Sequence, residues 1–170
     1  LSNKRVVLAA SSYHHSFLLC DDGSVFSVGR NDCGQLGHGD CIDKKVPVQV
    51  ALASGEEGVR SMSCGQFHTI IGCNSGSAYS CGKNDYGQVG LDTAENTRIL
   101  TKLPAFVEGA LVQQVVCGYY HTLVLLQTGV LAGFGRNDYG QLGLGHTQPR
   151  VKGYHVISFL RDKNINSVSA

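Results

Sequence analysis

"GRNDYGQLG" occupies residues 135–143, and nearly the same letters recur as "GRNDCGQLG" at 29–37 and "GKNDYGQVG" at 82–90. An active site needs its constellation once. A segment used repeatedly at one spacing marks a stacked structural unit. The opening glycine stands at 29, 82 and 135, an equal step of 53. His15, His68 and His121 keep that step, each followed by Ser16, Thr69 or Thr122. Gly23, Gly76 and Gly129 keep it too, as do Cys64 and Cys117, with Ser11 in the first copy. Val6, Val59, Val112 and Ile165 carry the series onward. The expected organisation is one partial domain over 1–170, with repeats at 1–53, 54–106 and 107–159 and a fourth beginning at 160–170.

Each period reads as β-structure. "FHTIIGC" (67–73) and "YHTLVLL" (120–126) are short apolar runs rich in β-branched and aromatic residues. A glycine-containing turn follows, "DDG", "NSG" or "QTG", and then "SVFSVG", "SAYSCG" or "VLAGFG". These runs are apolar on both faces, which predicts sheets covered on both sides. Ser27, Ser80 and Gly133 keep the second strand thin, where a neighbouring sheet is expected to approach. A further strand precedes the pair, as in "VRSMSCG" (59–65), and 105–116 reads as strand through its period-53 partners. Pro47, Pro104 and Pro149 fall in the variable part after each motif, suited to an edge strand or loop. The fold class is therefore all-β: four-stranded antiparallel units with a 53-residue repeat.

Within the motif, Gly29, Gly82 and Gly135 end a strand. Asn31, Asn84 and Asn137, with the following Asp, cap backbone amides of a tight turn. Gly34, Gly87 and Gly140 take its left-handed position. Gln35, Gln88 and Gln141 satisfy backbone groups that the turn leaves unpaired. Leu36, Val89 and Leu142 plug the core, and Gly37, Gly90 and Gly143 allow close packing. A phosphate-cradling loop is excluded by the spacing, since neither Gly-x-Gly-x-x-Gly nor Gly-x-x-x-x-Gly-Lys-Ser/Thr occurs. His15, His68 and His121 are read as hydrogen-bonded packing residues, expected far apart unless they converge on an axis.

Bulk properties exclude several classes. Net charge is +1, which gives no general pull toward nucleic acid or anionic membrane. No apolar run nears the ~20 residues of a membrane span, and no secretory signal is visible. The chain opens on Leu1 and its one Met is Met62, so a processed or excised fragment is expected. Seven cysteines without Cys-x-x-Cys point to reduced thiols and a cytoplasmic or nuclear protein. Cys20 with Cys73 and Cys64 with Cys117 follow the repeat as small core residues. A redox-active thiol would instead be Cys33 or Cys41, in turns or loops.

The pattern Cys-Gly-x-x-His-Thr, followed by the glycine-framed Asn-x-x-Gly-Gln-Leu-Gly, resembles the regulator of chromosome condensation repeat. Cys64-Gly65, His68-Thr69 and 82–90 carry it, as do Cys117-Gly118, His121-Thr122 and 135–143. Ser11-Ser12 replaces Cys-Gly in the first copy. WD repeats would want tryptophan, and the chain has none; the kelch double glycine is also absent. The resemblance implies blades of a seven-bladed β-propeller. Members of the family include a nucleotide-exchange factor for the GTPase Ran that docks on nucleosomes, modules of HECT-type ubiquitin ligases and a plant ultraviolet-B photoreceptor. The photoreceptor's chemistry needs tryptophans, so that reading is set aside.

Fold does not give function here. Specificity is expected where the copies differ, at 38–47, 91–98 and 144–153, with Lys44, Lys45, Arg98, Arg150 and Lys152 as the partner-binding candidates. The expected function is a non-enzymatic protein–protein interaction scaffold, docking a small GTPase, a ubiquitin-pathway protein or chromatin. The alternatives are an exchange factor for a Ran-like GTPase and a substrate-binding module of a HECT-type ubiquitin ligase. No catalytic residue, cofactor, metal, small-molecule substrate or membrane partner is expected. Three repeats leave open blade faces, so further blades or a second copy should cover them.

Overall fold

The computed structural model describes residues 3–52, 58–106 and 110–170. Consecutive strands pair antiparallel into three four-stranded sheets. The first holds β1 (Val6–Ser11), β2 (His15–Cys20), β3 (Val25–Gly29) and β4 (Lys44–Val50). The second holds β5 (Val59–Cys64), β6 (His68–Cys73), β7 (Ala78–Gly82) and β8 (Thr97–Lys102). The third holds β9 (Val112–Cys117), β10 (His121–Leu126), β11 (Leu131–Arg136) and β12 (Arg150–Val156). A single 3-10 turn, Ser158–Leu160, follows. The stretch 105–116 thus yields strand only from Val112, and 107–109 lie outside the described residues.

β5 lies against both β1 and β9, so the first strands gather on the inside and the fourth strands form the periphery. The periphery is wet: β4 carries Pro47 and is exposed over most of its length. The middle sheet shows why the sequence lacks alternation, because every residue of β6 and β7 is buried. Phe17, Leu19 and Val25 of the first sheet pack with Met62, Ile71 and Tyr79 of the second. Ile70 and Leu103 of the second pack with Val115, Val124 and Phe134 of the third. Burying each such side chain contributes roughly 1.5–3 kcal/mol. Leu18 and Phe26, the first-sheet counterparts of Ile71 and Tyr79, remain half-buried, so that sheet keeps one open face among the described residues. Ile165 and Val168 pack against the far face of the third sheet.

The motif builds the corner between the third and fourth strands. Asn31 accepts the Leu36 amide on Oδ1 at 2.9 Å, and its Nδ2 donates to Asp40 and to the Ile42 carbonyl. Asn84 and Asn137 repeat the arrangement with Val89 and Leu142. Gln35, Gln88 and Gln141 accept the amides of Cys33, Tyr86 and Tyr139 at 2.9–3.0 Å. Gly34, Gly87 and Gly140 have φ of +82°, +85° and +75°. Gly29, Gly82 and Gly135 are fixed twice over, by φ of +113°, +108° and +105° and by a neighbouring carbonyl 2.3–2.6 Å from where a Cβ would stand. The small residues at 27, 80 and 133 differ from the expectation: their own turn approaches them, not a neighbouring sheet. Ser27 and Ser80 donate to the carbonyls of Leu36 and Val89, and Leu142 abuts Gly133.

The sheets are also tied by polar bonds. Thr69 donates its hydroxyl to the Gln35 carbonyl at 2.9 Å, so its oxygen must accept from His15 Nε2 at 2.7 Å. Thr122 donates to the Gln88 carbonyl at 2.8 Å and accepts from His68 Nε2 at 3.0 Å. Each relay joins one sheet's imidazole to the next sheet's hydroxyl and back to the first sheet's turn. His15 Nδ1 then accepts from Ser12 Oγ at 2.9 Å. Gly65 and Gly118 exist because a Cβ there would lie 2.1 Å from the imidazole of His68 or His121. The histidines are not far apart: His15 and His121 both add to the burial that holds His68 neutral, pushing it down to about 3. Burial likewise lowers His15 to about 4.

Two outcomes are expected. Thr122→Val leaves His68 Nε2–H and the Gln88 carbonyl unpaired and should cost about 2–4 kcal/mol in denaturant unfolding, while Thr122→Ser should retain most of the stability. The folded-state imidazoles titrate below the usual 6.5, so the unfolded chain binds more protons in acid. Stability should be fully present above about pH 6.5 and fall toward pH 4, by about 1.4 kcal/mol per pH unit for each fully engaged histidine. A thermal melting series across that window checks it.

Candidate protein-interaction face

The two residues before His15, His68 and His121 are Tyr13-His14, Gln66-Phe67 and Tyr119-Tyr120. They sit at the start of each second strand, beside the corner motif. The motif itself contributes a cation, Arg30, Lys83 or Arg136, and a variable letter, Cys33, Tyr86 or Tyr139. Folding brings these positions from all three sheets onto one face.

There they interlock. Arg30 stacks on Phe67 of the next sheet, guanidinium carbon to ring centre 5.0 Å, and Lys83 lies 5.6 Å from the same ring. Arg136 lies over Tyr86, Tyr120 and Tyr139 at 5.3, 5.9 and 5.7 Å. Tyr119 meets Tyr120 edge-on at 4.7 Å and Tyr13 at 6.0 Å. Each cation is held by an aspartate two residues on: Arg30–Asp32 at 2.6 Å, Lys83–Asp85 at 3.0 Å and Arg136–Asp138 at 2.6 Å. The aspartates pre-orient the cations over the rings, and Arg30 and Arg136 hold their protons more tightly for it. Tyr13 and Tyr139 are 78% and 82% exposed. A recess of about 290 Å³ opens between Ser12, Tyr13, Gln66 and Tyr119.

Aromatic and Arg side chains are the groups that dominate binding energy at protein interfaces, and contiguous exposed patches of them mark interaction sites. Reading the motif as framework hides this face, because several of its residues sit inside the repeated pattern. The signal was available: 13–14, 66–67 and 119–120 vary between fixed neighbours.

The five outer cations are spread over the peripheral strands. Lys44 pairs with Asp40 at 2.7 Å, and Lys45 is exposed on the same strand. Arg98 lies across the first sheet's corner, its Cα 2.6 Å from where a Gly34 Cβ would be. Arg150 and Lys152 come together on β12. Among the described residues all seven cysteines are free, with Cys41 exposed and the Cys33 thiol raised by partial burial, which makes it a weaker nucleophile. No group of three or more His, Cys, Asp or Glu among them is placed to hold a metal ion. No helix among them is long and apolar enough to cross a membrane.

Comparison with known proteins agrees with this architecture. Over 158 residues the chain is 36% identical to the ultraviolet-B receptor UVR8 of Arabidopsis thaliana, covering 92% of this chain and 35% of that protein. It is 37% identical over 146 residues to the human probable E3 ubiquitin-protein ligase HERC3, covering 82% of this chain and 14% of that protein. Among solved structures, human WBSCR16 superposes with a TM-score of 0.85 at 28% identity, covering 98% of this chain and 43% of that one. Prp20p of Saccharomyces cerevisiae, described with its binding properties to Gsp1p and histones, gives 0.82 at 26% identity, covering 89% and 38%. The chain thus spans 14–43% of the length of these relatives. Models of the regulator of chromosome condensation (RCC1) repeat match residues 22–71 and 75–125, and again 6–35, 59–88 and 112–141, so the chain belongs to the RCC1 repeat family, as a run of β-propeller blades.

Proposed function

We propose that this protein is a non-enzymatic protein-binding scaffold that recognises its partner through the aromatic–cation face. The observation that carries the reading is the continuous array of Tyr13, Phe67, Tyr86, Tyr119, Tyr120 and Tyr139 with Arg30, Lys83 and Arg136, spanning all three sheets. The rings are stacked before any partner arrives, so little side-chain freedom is lost on binding. Lys44, Lys45, Arg98, Arg150 and Lys152 form a second, peripheral set of contacts. The open face of the first sheet is covered by further blades or a second copy. The partner class is a small GTPase, a ubiquitin-pathway protein or chromatin, in cytoplasm or nucleus; Prp20p and HERC3 motivate those classes by likeness.

A second reading, nucleotide exchange on a Ran-like GTPase, is favoured by the likeness to Prp20p, which is described with Gsp1p. Exchange needs only displacement of nucleotide, which an aromatic wedge can do without acid–base residues. The expected outcome is that proteins captured by the intact protein are lost, or bind about 10–100-fold more weakly, with Tyr119→Ser plus Tyr139→Ser, at unchanged melting temperature. Retention of every partner would refute the face as the binding surface. Release of fluorescent GDP from a panel of small GTPases separates the two readings, since acceleration supports exchange.

A further inference from the structure

The outer groove of the third sheet breaks the charge balance that the other copies keep. In the first sheet Asp40 accepts from Asn31 Nδ2 at 2.8 Å and from Lys44 Nζ at 2.7 Å, so corner and cation share one carboxylate. One repeat on, the equivalents are Thr93 and Thr97, which carry no charge. Two repeats on they are His146 and Arg150: the cation remains and the acid is gone. Asn137 Nδ2 now donates to the His146 carbonyl at 2.9 Å, keeping the corner without a carboxylate.

The replaced positions line a cavity of about 380 Å³ with Gln148, Val151, Lys152 and His155, and no acidic side chain is among its walls. His146 Nδ1 accepts the Gln148 amide at 3.2 Å, so the ring's proton stands on Nε2, with no protein acceptor among the described residues. Among the described residues Arg150 reaches the Asn84 carbonyl through Nη2 at 3.5 Å, and its buried Nε has no hydrogen-bond partner there. Lys152 is exposed at the same wall. His155 is oriented by the Lys152 carbonyl at 3.2 Å. Arg150, Lys152 and His146 therefore line one cavity that has no acidic side chain among its walls.

We infer that this groove binds a phosphate monoester group. Two uncompensated cations match the near-double negative charge of a phosphate, and its three oxygens can take the Arg150, Lys152 and His146 donors together. A carboxylate offers half the charge and one fewer acceptor atom. The groove shares no residue with the aromatic face; Arg150 and Lys152 belong to the proposed peripheral contacts, but phosphate titration reads the groove without the scaffold's partner, so the two readings can fail separately. The phosphate is either carried on a protein side chain or free in solution.

Calorimetric titration of the intact protein, in chloride buffer free of other oxyanions, tests it. The probes are inorganic phosphate, a phosphoserine peptide and the same peptide unphosphorylated. Saturable binding of phosphate or phosphopeptide is expected, weakened at least about tenfold by Lys152→Glu and unchanged by Arg5→Glu, at an exposed cation preceding β1 on the first sheet. Lys152 is exposed, so its substitution should leave the melting temperature in place; Arg150→Gln serves as the second variant. Tighter binding of the phosphopeptide than of phosphate identifies a protein-borne group, and equal binding a free anion. Absence of saturable binding, equal binding of the unphosphorylated peptide, or an undiminished Lys152→Glu overturns the inference.

Discussion

A buried imidazole donating to a hydroxyl that itself donates to a carbonyl is the constraint on which the rest of this structure depends. Hydrophobic packing between sheets is strong but non-directional, so by itself it would allow neighbouring blades to slide. The relays from His15 through Thr69 to Gln35, and from His68 through Thr122 to Gln88, fix the offset. They cross 54 residues of chain rather than 53, because each imidazole reaches the residue after its own counterpart. That one-residue displacement explains why His and Thr occur as a consecutive pair. The low polarity that keeps the imidazoles neutral also strengthens the bonds they make.

The relay locates the face proposed for recognition. Each histidine lies at the start of a second strand with its side chain inward, which leaves the two preceding residues at the rim. The corner motif is anchored beside it through the Gln carbonyl, and it brings a cation and a ring to the same rim. Framework and proposed binding surface therefore share one segment of sequence, divided by which side chains point inward. The first copy shows the same economy. Ser12 stands where the others have glycine, and its hydroxyl supplies the Nδ1 partner that His68 lacks among the described residues.

The peripheral strands are under weaker constraint, and there the copies have diverged in charge. Asp40 with Lys44, Thr93 with Thr97, and His146 with Arg150 occupy the same two places in successive sheets. The corner tolerates each, because the Asn amide can donate to a carboxylate, a threonine carbonyl or a histidine carbonyl. A position with interchangeable framework roles is free to acquire binding chemistry.

The sequence by itself determined the sheets, their number, the turn chemistry and the inward plugs Leu36, Val89 and Leu142. These follow from local rules: strand periodicity, glycine's left-handed conformation and a repeat interval visible without any partner. Contacts between copies were beyond it. Nothing local says that His15 meets Thr69 rather than Ser16, or that Ser27 and Ser80 serve their own turn. The aromatic face left only a trace, in letters that vary between fixed neighbours at 13–14, 66–67 and 119–120, and only stacking the sheets makes those residues neighbours. The emptied charge at His146 and Arg150 likewise acquires meaning only once β12 closes a groove. Interval and composition are properties of the chain, whereas adjacency across blades arises from burial, which tertiary packing alone decides.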